Sequence, residues 1–273
     1  MEEIIIKPKS RFHLLNLYEL WRFRELFYIF AWRDIKVRYK QTFLGILWVI
    51  LQPLTTMLIF TFLFSKIFTT SSTNLPYPLF VLCGLVFWNF FSNSLTHASN
   101  SLLENEDIIK KVYFPKIILP LSAIVTGLVD FATNLAILLA VTMLFGFIPS
   151  VLSFFVFSLG ILITGMAVAG LGLLLSSLNV KYRDVRYILP FFTQLIFFIS
   201  PIIYPMSVLS SQNKIFLALN PLTGVVESVR TVVSGSTQID FLLLVISFAS
   251  AVALFIIGLF VFASTERFLA DIV

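Results

Sequence analysis

At 273 residues, 59% apolar and only 12% charged, the chain carries about half the charge density of a soluble domain, which excludes the soluble globular classes. Its formal net charge of +5 is small, and its 31 phenylalanines suit a surface bathed in lipid. Charge-free windows of about 20 residues or more recur and are long enough to cross roughly 30 Å of hydrocarbon; they are continuous apolar runs, unlike the alternating segments of about ten residues in a membrane β-barrel. The expected class is an all-α polytopic membrane protein.

Residues 1–42 form a cytoplasmic amphipathic N-terminal segment in this reading, and residues 43–273 a single transmembrane domain. A polar start, Met-Glu-Glu, argues against a cleavable signal peptide. From Arg11 to Tyr39 the apolar residues Leu14, Leu17, Tyr18, Trp21, Phe23, Leu26, Phe27 and Phe30 recur every three or four positions among Arg22, Arg24, Arg33, Lys36 and Arg38. That pattern predicts an interfacial helix with basic side chains toward lipid phosphates. The alternative is a solvated helix packed on a soluble partner.

Ala31–Pro53 joins this basic stretch to a run with no charge before Lys66, and such a junction orients the spans that follow. Six spans are expected, over about 43–64 (kinked at Pro53), 79–96, 117–145, 151–176, 187–206 and 241–263. The single cysteine, Cys83, falls inside the second and offers no intrachain disulfide. In the fourth, Gly165 and Ala169 fit a small-xxx-small step for close helix packing. Between spans five and six, 208–240 is too polar to cross, and is read as a re-entrant hairpin of two half-helices broken at Asn220-Pro221.

Charge distribution checks this topology. With the N-terminus inside, the cytoplasmic segments 1–42, 100–116, 177–187 and 264–273 hold 9, 3, 3 and 1 Lys/Arg, whereas the outer segments 65–77, 146–150 and 208–240 hold 1, 0 and 2. Such a bias fits six spans with both termini in the cytoplasm.

Several chemistries lack their motifs. There is no GxxxxGK[ST] phosphate loop, no Cys/His cluster with metal-ligand spacing, no serine elbow and no HExxH, so neither an enzyme nor a resident metal is expected. Four constellations remain. Glu104–Lys116 reads as a short helix with acids first (Glu106, Asp107) and bases last (Lys110, Lys111), complementing the helix dipole, and Tyr113-Phe114-Pro115 closes it. It is either a capped loop or a knob for a cytoplasmic partner. Leu178–Tyr187 gathers Lys181, Arg183, Asp184 and Arg186, for headgroups or for ion pairing. Asp130, about 20 Å into span three, shares a face with Asn134; intramembrane carboxylates find a partner or serve a path. Glu227 and Arg230, three apart, can pair on one helical face of the hairpin.

With these pieces placed, Trp32–Pro53 (WRDIKVRYKQTFLGILWVILQP), Lys111–Phe131 (KVYFPKIILPLSAIVTGLVDF), Leu178–Pro205 (LNVKYRDVRYILPFFTQLIFFISPIIYP) and Leu219–Arg230 (LNPLTGVVESVR) together resemble the permease subunits of ABC-2-type polysaccharide exporters, the Wzm-like family of O-antigen, capsule and teichoic acid export. The resemblance implies a homodimeric pore in the bacterial inner membrane, driven by two separate ATP-binding cassette subunits. It implies ATP and magnesium on those partners, with no cofactor in this chain, and an undecaprenyl-diphosphate-linked polysaccharide as cargo. No nucleic-acid partner is implied. By the same resemblance Glu106, Asp107, Lys110, Lys111, Tyr113 and Phe114 would couple to the ATPase, with Lys181, Arg183 and Asp184 as a second contact. Arg33, Lys36, Arg38 and Lys40 would meet the lipid diphosphate. Asp130, Asn134, Asn220, Glu227 and Arg230 would belong to the pore or to a periplasmic gate hairpin at 208–235. The alternatives are an ABC-2 exporter of a smaller lipid or drug, and an ion-coupled secondary transporter, which would need more midplane ionisable residues than Asp130.

Overall fold

A computed structural model describes residues 17–40, 46–67, 75–182 and 184–266, and every regular element among them is helical. In chain order the helices are α1 (Leu17–Arg22), α2 (Arg24–Lys40), α3 (Ile46–Phe64), α4 (Tyr77–Glu104), α5 (Glu106–Lys111), α6 (Ile118–Leu144), α7 (Val151–Lys181), α8 (Val185–Ile199), α9 (Ser211–Ala218), α10 (Pro221–Val233) and α11 (Phe241–Glu266). The part of the expected interfacial helix before Leu17 lies outside the described residues.

Local chemistry sets the ends of these helices. After α6 the chain turns through Gly146 at φ +81°, a left-handed conformation that glycine adopts without a Cβ penalty. Ser150 then caps α7, its hydroxyl accepting from the Ser153 amide while the Ser153 hydroxyl accepts from the Ser150 amide, a reciprocal capping box. Pro221 opens α10, where a missing N–H costs nothing, and the Asn220 side chain accepts from the Leu222 amide at 3.1 Å.

Five helices, α3, α4, α6, α7 and α11, are long and apolar enough to cross a membrane. The second and fourth run further than the pattern predicts: α4 continues through the polar 92–101 stretch to Glu104, and α7 continues to Lys181. Those polar residues stay helical because many of them bond back within the helix, as Thr96 does to the Ser92 carbonyl and Ser101 to that of Ala98. The fifth expected span is shorter than predicted. α8 has 15 residues, about 22 Å, and ends at Ile199 because Pro201 and Pro205 cannot extend it. The chain continues as irregular backbone whose residues 200–203 are buried in protein, the condition under which such backbone is tolerated at membrane depth. Helices α9 and α10 meet at 107°. Pro53 lies inside an uninterrupted α3, where Thr55 and Thr56 donate to the Leu51 and Gln52 carbonyls at 2.8 Å.

The core forms around α4, which packs on α3, α6, α7, α8 and α10. Phe87 of α4 sits edge-on to Phe131 of α6, 5.2 Å between centroids, and parallel to Phe157 of α7 at 6.5 Å. Helix α11 lies close along α7 at two glycines: a Cβ on Gly258 would stand 2.0 Å from the Gly170 carbonyl oxygen. The small-xxx-small expectation at Gly165 is corrected, since a Cβ there would meet nothing within 4 Å; Gly170 makes the close approach instead.

Candidate functional site

Three polar assemblies occupy positions set by this frame. The first is at the end of the bundle where α4 turns into α6. Asn105 ends α4, its amide group donating to the Ser101 carbonyl at 2.8 Å, and α5 follows at once. Lys110 donates to Glu106 one turn back at 2.6 Å. Asp107, Lys110, Lys111, Val112 and Tyr113 are exposed. Ile109 and Phe114 are buried in a cluster with Phe30 of α2, Leu173 and Val180 of α7, and Leu259 and Phe262 of α11. The Phe30 and Phe114 rings stand 5.7 Å apart, the Tyr113 hydroxyl donates to Glu19 of α1 at 3.3 Å, and the Lys116 amide to Glu266 at 3.1 Å. α5 is therefore a charged knob on apolar roots.

Lys181 and Asp184, two of the residues expected at a second contact, lie at and just after the end of α7, whose Val180 joins the same cluster. Asn179 donates to the Ser99 carbonyl at 3.1 Å and to the Asn100 side chain at 3.0 Å, which fixes the end of α7 against α4. Lys181 and Asp184 are exposed, and the Lys181 ammonium lies 5.1 Å from the Tyr182 ring. Arg183 falls outside the described residues.

The second assembly joins the hairpin to the core. Arg230 of α10 is fully buried. It donates to the Phe80 carbonyl at 3.1 Å and to the Ile202 carbonyl at 2.8 Å, and its guanidinium lies 3.4 Å from the Phe80 ring centroid. Glu227, the partner expected from spacing, forms an ion pair with it at 3.8 Å, longer than a hydrogen bond. Arg230 thus ties together α10, the start of α4 and the irregular 200–204 segment, and Tyr77 adds a bond to the Ile203 carbonyl at 2.8 Å. At the break, Asn220 donates to Ser200 at 2.6 Å, while Ser247 of α11 accepts from the Gly224 amide and donates to the Ala218 carbonyl. Tyr77, Ser200 and Ser247 escape a reading by pattern, because their partners lie 20 to 126 residues away in sequence.

The third assembly is the N-terminal helix. Arg38 of α2 pairs with Asp130 of α6, so the intramembrane carboxylate has a cationic partner. Asn134 donates to the backbone carbonyl of Asp130 at 2.9 Å rather than to its carboxylate. The four proposed diphosphate cations are not gathered into one site. Arg33 bonds its neighbour Asp34 at 2.8 Å, Arg38 is engaged with Asp130, Lys36 is exposed, and the Lys40 side chain lies outside the described residues. Around α2, Phe30 and Ala31 are buried, yet Tyr28, Ile29, Trp32 and Val37 are exposed; the apolar residues do not collect on one side. No group of three or more metal-ligating side chains occurs among the described residues.

Comparison with known proteins places the chain in a family. Residues 25–234 match the ABC-2 type transporter family. The chain is 32% identical over 216 residues, 78% of its own length and 82% of the relative's, to the O-antigen export system permease protein RfbA of Myxococcus xanthus. It is 26% identical over 257 residues, 93% and 97% of the two lengths, to the protein of the same description from Klebsiella pneumoniae. Over 212 residues, 74% and 78%, it is 27% identical to the polysialic acid transport protein KpsM of Escherichia coli.

Proposed function

This chain belongs to the ABC-2 type transporter family, and we propose that it is the membrane subunit of an ATP-driven exporter that moves a lipid-linked polysaccharide of the O-antigen type across the bacterial inner membrane. The observation that carries this reading is the match along most of the chain to permeases described by O-antigen export. Family membership favours the ATP-driven reading over an ion-coupled transporter, and the relatives' polymers favour a polysaccharide over a smaller cargo. Two copies form the pore, and ATP and magnesium bind a partner ATPase.

The geometry supports a division of labour. The end that carries α5, residues 181–184 and Glu266 faces the cytoplasm, as the excess of Lys/Arg in those segments requires. There α5 presents Asp107, Lys110 and Lys111 on a base fixed by Ile109 and Phe114, which suits a helix that transmits force to an ATPase. The bent α9–α10 pair, tied to the start of α4 through Arg230, would serve as an outer gate. Inactivating the gene in its host tests the function. The expected result is loss of surface polymer with lipid-linked polymer accumulating inside; normal surface polymer would refute it.

A further inference from the structure

Helix α4 is the most enclosed of the long helices, and the run from Leu79 to Trp88 is buried without a gap. Beyond it the side chains that stay unburied are Asn89, Ser92, Asn93, Thr96, His97, Asn100, Leu103 and Glu104. Their steps of three and four place them along one side of the helix, over about 22 Å at 1.5 Å per residue. All of them but Leu103 are polar. Where it lies at membrane depth, a polar stripe facing hydrocarbon would be costly, so water, a polar ligand or a second copy covers it.

The surroundings of the stripe say which. The Arg38–Asp130 pair joins α2 to α6, and α6 packs along α4, while Glu104 stands at the end of the stripe. The charges stand beside the stripe and at its cytoplasmic end, whereas the stripe between Asn89 and Asn100 offers amides, hydroxyls and one imidazole. Its far end closes where α3 and α8 meet over α4: Trp88 is 5.1 Å from Phe197, and Phe197 is 5.9 Å from Phe60. The stripe thus runs from Glu104 at one end to the Trp88, Phe197 and Phe60 rings at the other.

We propose that this stripe is the inner wall of the translocation path, and that Asn89, Asn93, Thr96, His97 and Asn100 contact the hydroxyl groups of the passing glycan. Amide and hydroxyl side chains donate and accept, so a polyhydroxylated chain exchanges one partner for the next as it slides. The absence of lysine and arginine from these five positions assigns the stripe to sugar hydroxyls rather than to a diphosphate. The glycan part of the assignment rests on the function proposed above; the hydrated path does not.

Single cysteines at the five positions, in a Cys83→Ala background, test both. The probe is a negatively charged, membrane-impermeant methanethiosulfonate applied to inside-out membrane vesicles of the native host. The vesicles come from cells that assemble lipid-linked glycan and from cells blocked in its assembly. Cysteines at Phe155 and Leu162, exposed apolar positions of α7, serve as controls. Without glycan the stripe should react at least about tenfold faster than the controls, because the reactive thiolate needs water around it; with glycan, Asn93→Cys and His97→Cys should slow. Reaction no faster than the controls would mean a dry interface, such as one covered by a second copy, and would overturn the proposal. Fast reaction indifferent to glycan would overturn the glycan contact. Failure of the unmodified protein to export polymer would instead count against the proposed function, and would leave the labelling contrast with the controls intact.

Discussion

Arg230 shows how much one side chain can hold. Its guanidinium bonds two carbonyls from different segments and stacks on the Phe80 ring, work that a planar fork does and an ammonium does not. Removing it would leave the buried Ile202 carbonyl without this donor, at a cost of about 1–3 kcal/mol. Arg230→Ala should therefore lower the Tm of the purified protein in detergent, and Arg230→Lys should recover little of the loss; a Tm equal to that of the unmodified protein would contradict this role. The Arg38–Asp130 pair makes a second prediction. Asp130→Arg alone should impair folding or transport, and the exchange Arg38→Asp with Asp130→Arg should restore part of it, as measured by yield and by export. A double variant no better than either single one would mean that the pair does not join α2 to α6. Sequence spacing finds the Arg230–Glu227 ion pair but misses the Phe80 carbonyl and leaves Asp130 without a named partner, because short-range periodicity carries no information about partners 92 or 150 residues away.

At the scale of elements, the helices themselves are legible in the sequence and their lengths less so. Apolar runs mark where a helix must lie in lipid, but polar residues that bond within their own helix extend α4 past the expected stop, and two prolines cut α8 short. The close contact between α7 and α11 falls away from its expected place for a related reason. A glycine pattern on one helix shows that something can approach, and the register of the partner decides where. Gly258→Ala should destabilise the protein, because overpacking a tight contact costs about 1–3 kcal/mol or more. Gly165→Ala, in open space, should leave Tm unchanged. Equal effects of the two substitutions would contradict the packing of α11 on α7.

For the whole molecule, the charge count anticipates a spatial grouping that the fold reproduces. Segments near 100–116, 177–187 and 264–266 gather at one end through the Phe114 cluster and the Lys116–Glu266 bond. Segments near 77, 200–205 and 230 gather elsewhere, through Tyr77 and Arg230. The charged knob is legible as a charge pattern on α5, and its buried roots are not, since they come from α2, α7 and α11. The polar side of α4 is visible as a run of polar residues, but its enclosure by the neighbouring helices is not, because that takes the partners of a helix to define.

The central claim is that α5 couples this membrane subunit to a separate ATPase, and one measurement tests it most directly. The unmodified protein and an Asp107→Lys, Lys111→Glu variant, which spares the Glu106–Lys110 bond, would each be reconstituted with the partner ATPase and the lipid-linked polymer. ATP hydrolysis and polymer translocation would be followed together. The account predicts that the variant inserts normally, yet loses both translocation and the stimulation of hydrolysis by polymer. Full coupling in a variant with this knob reversed in charge would contradict it.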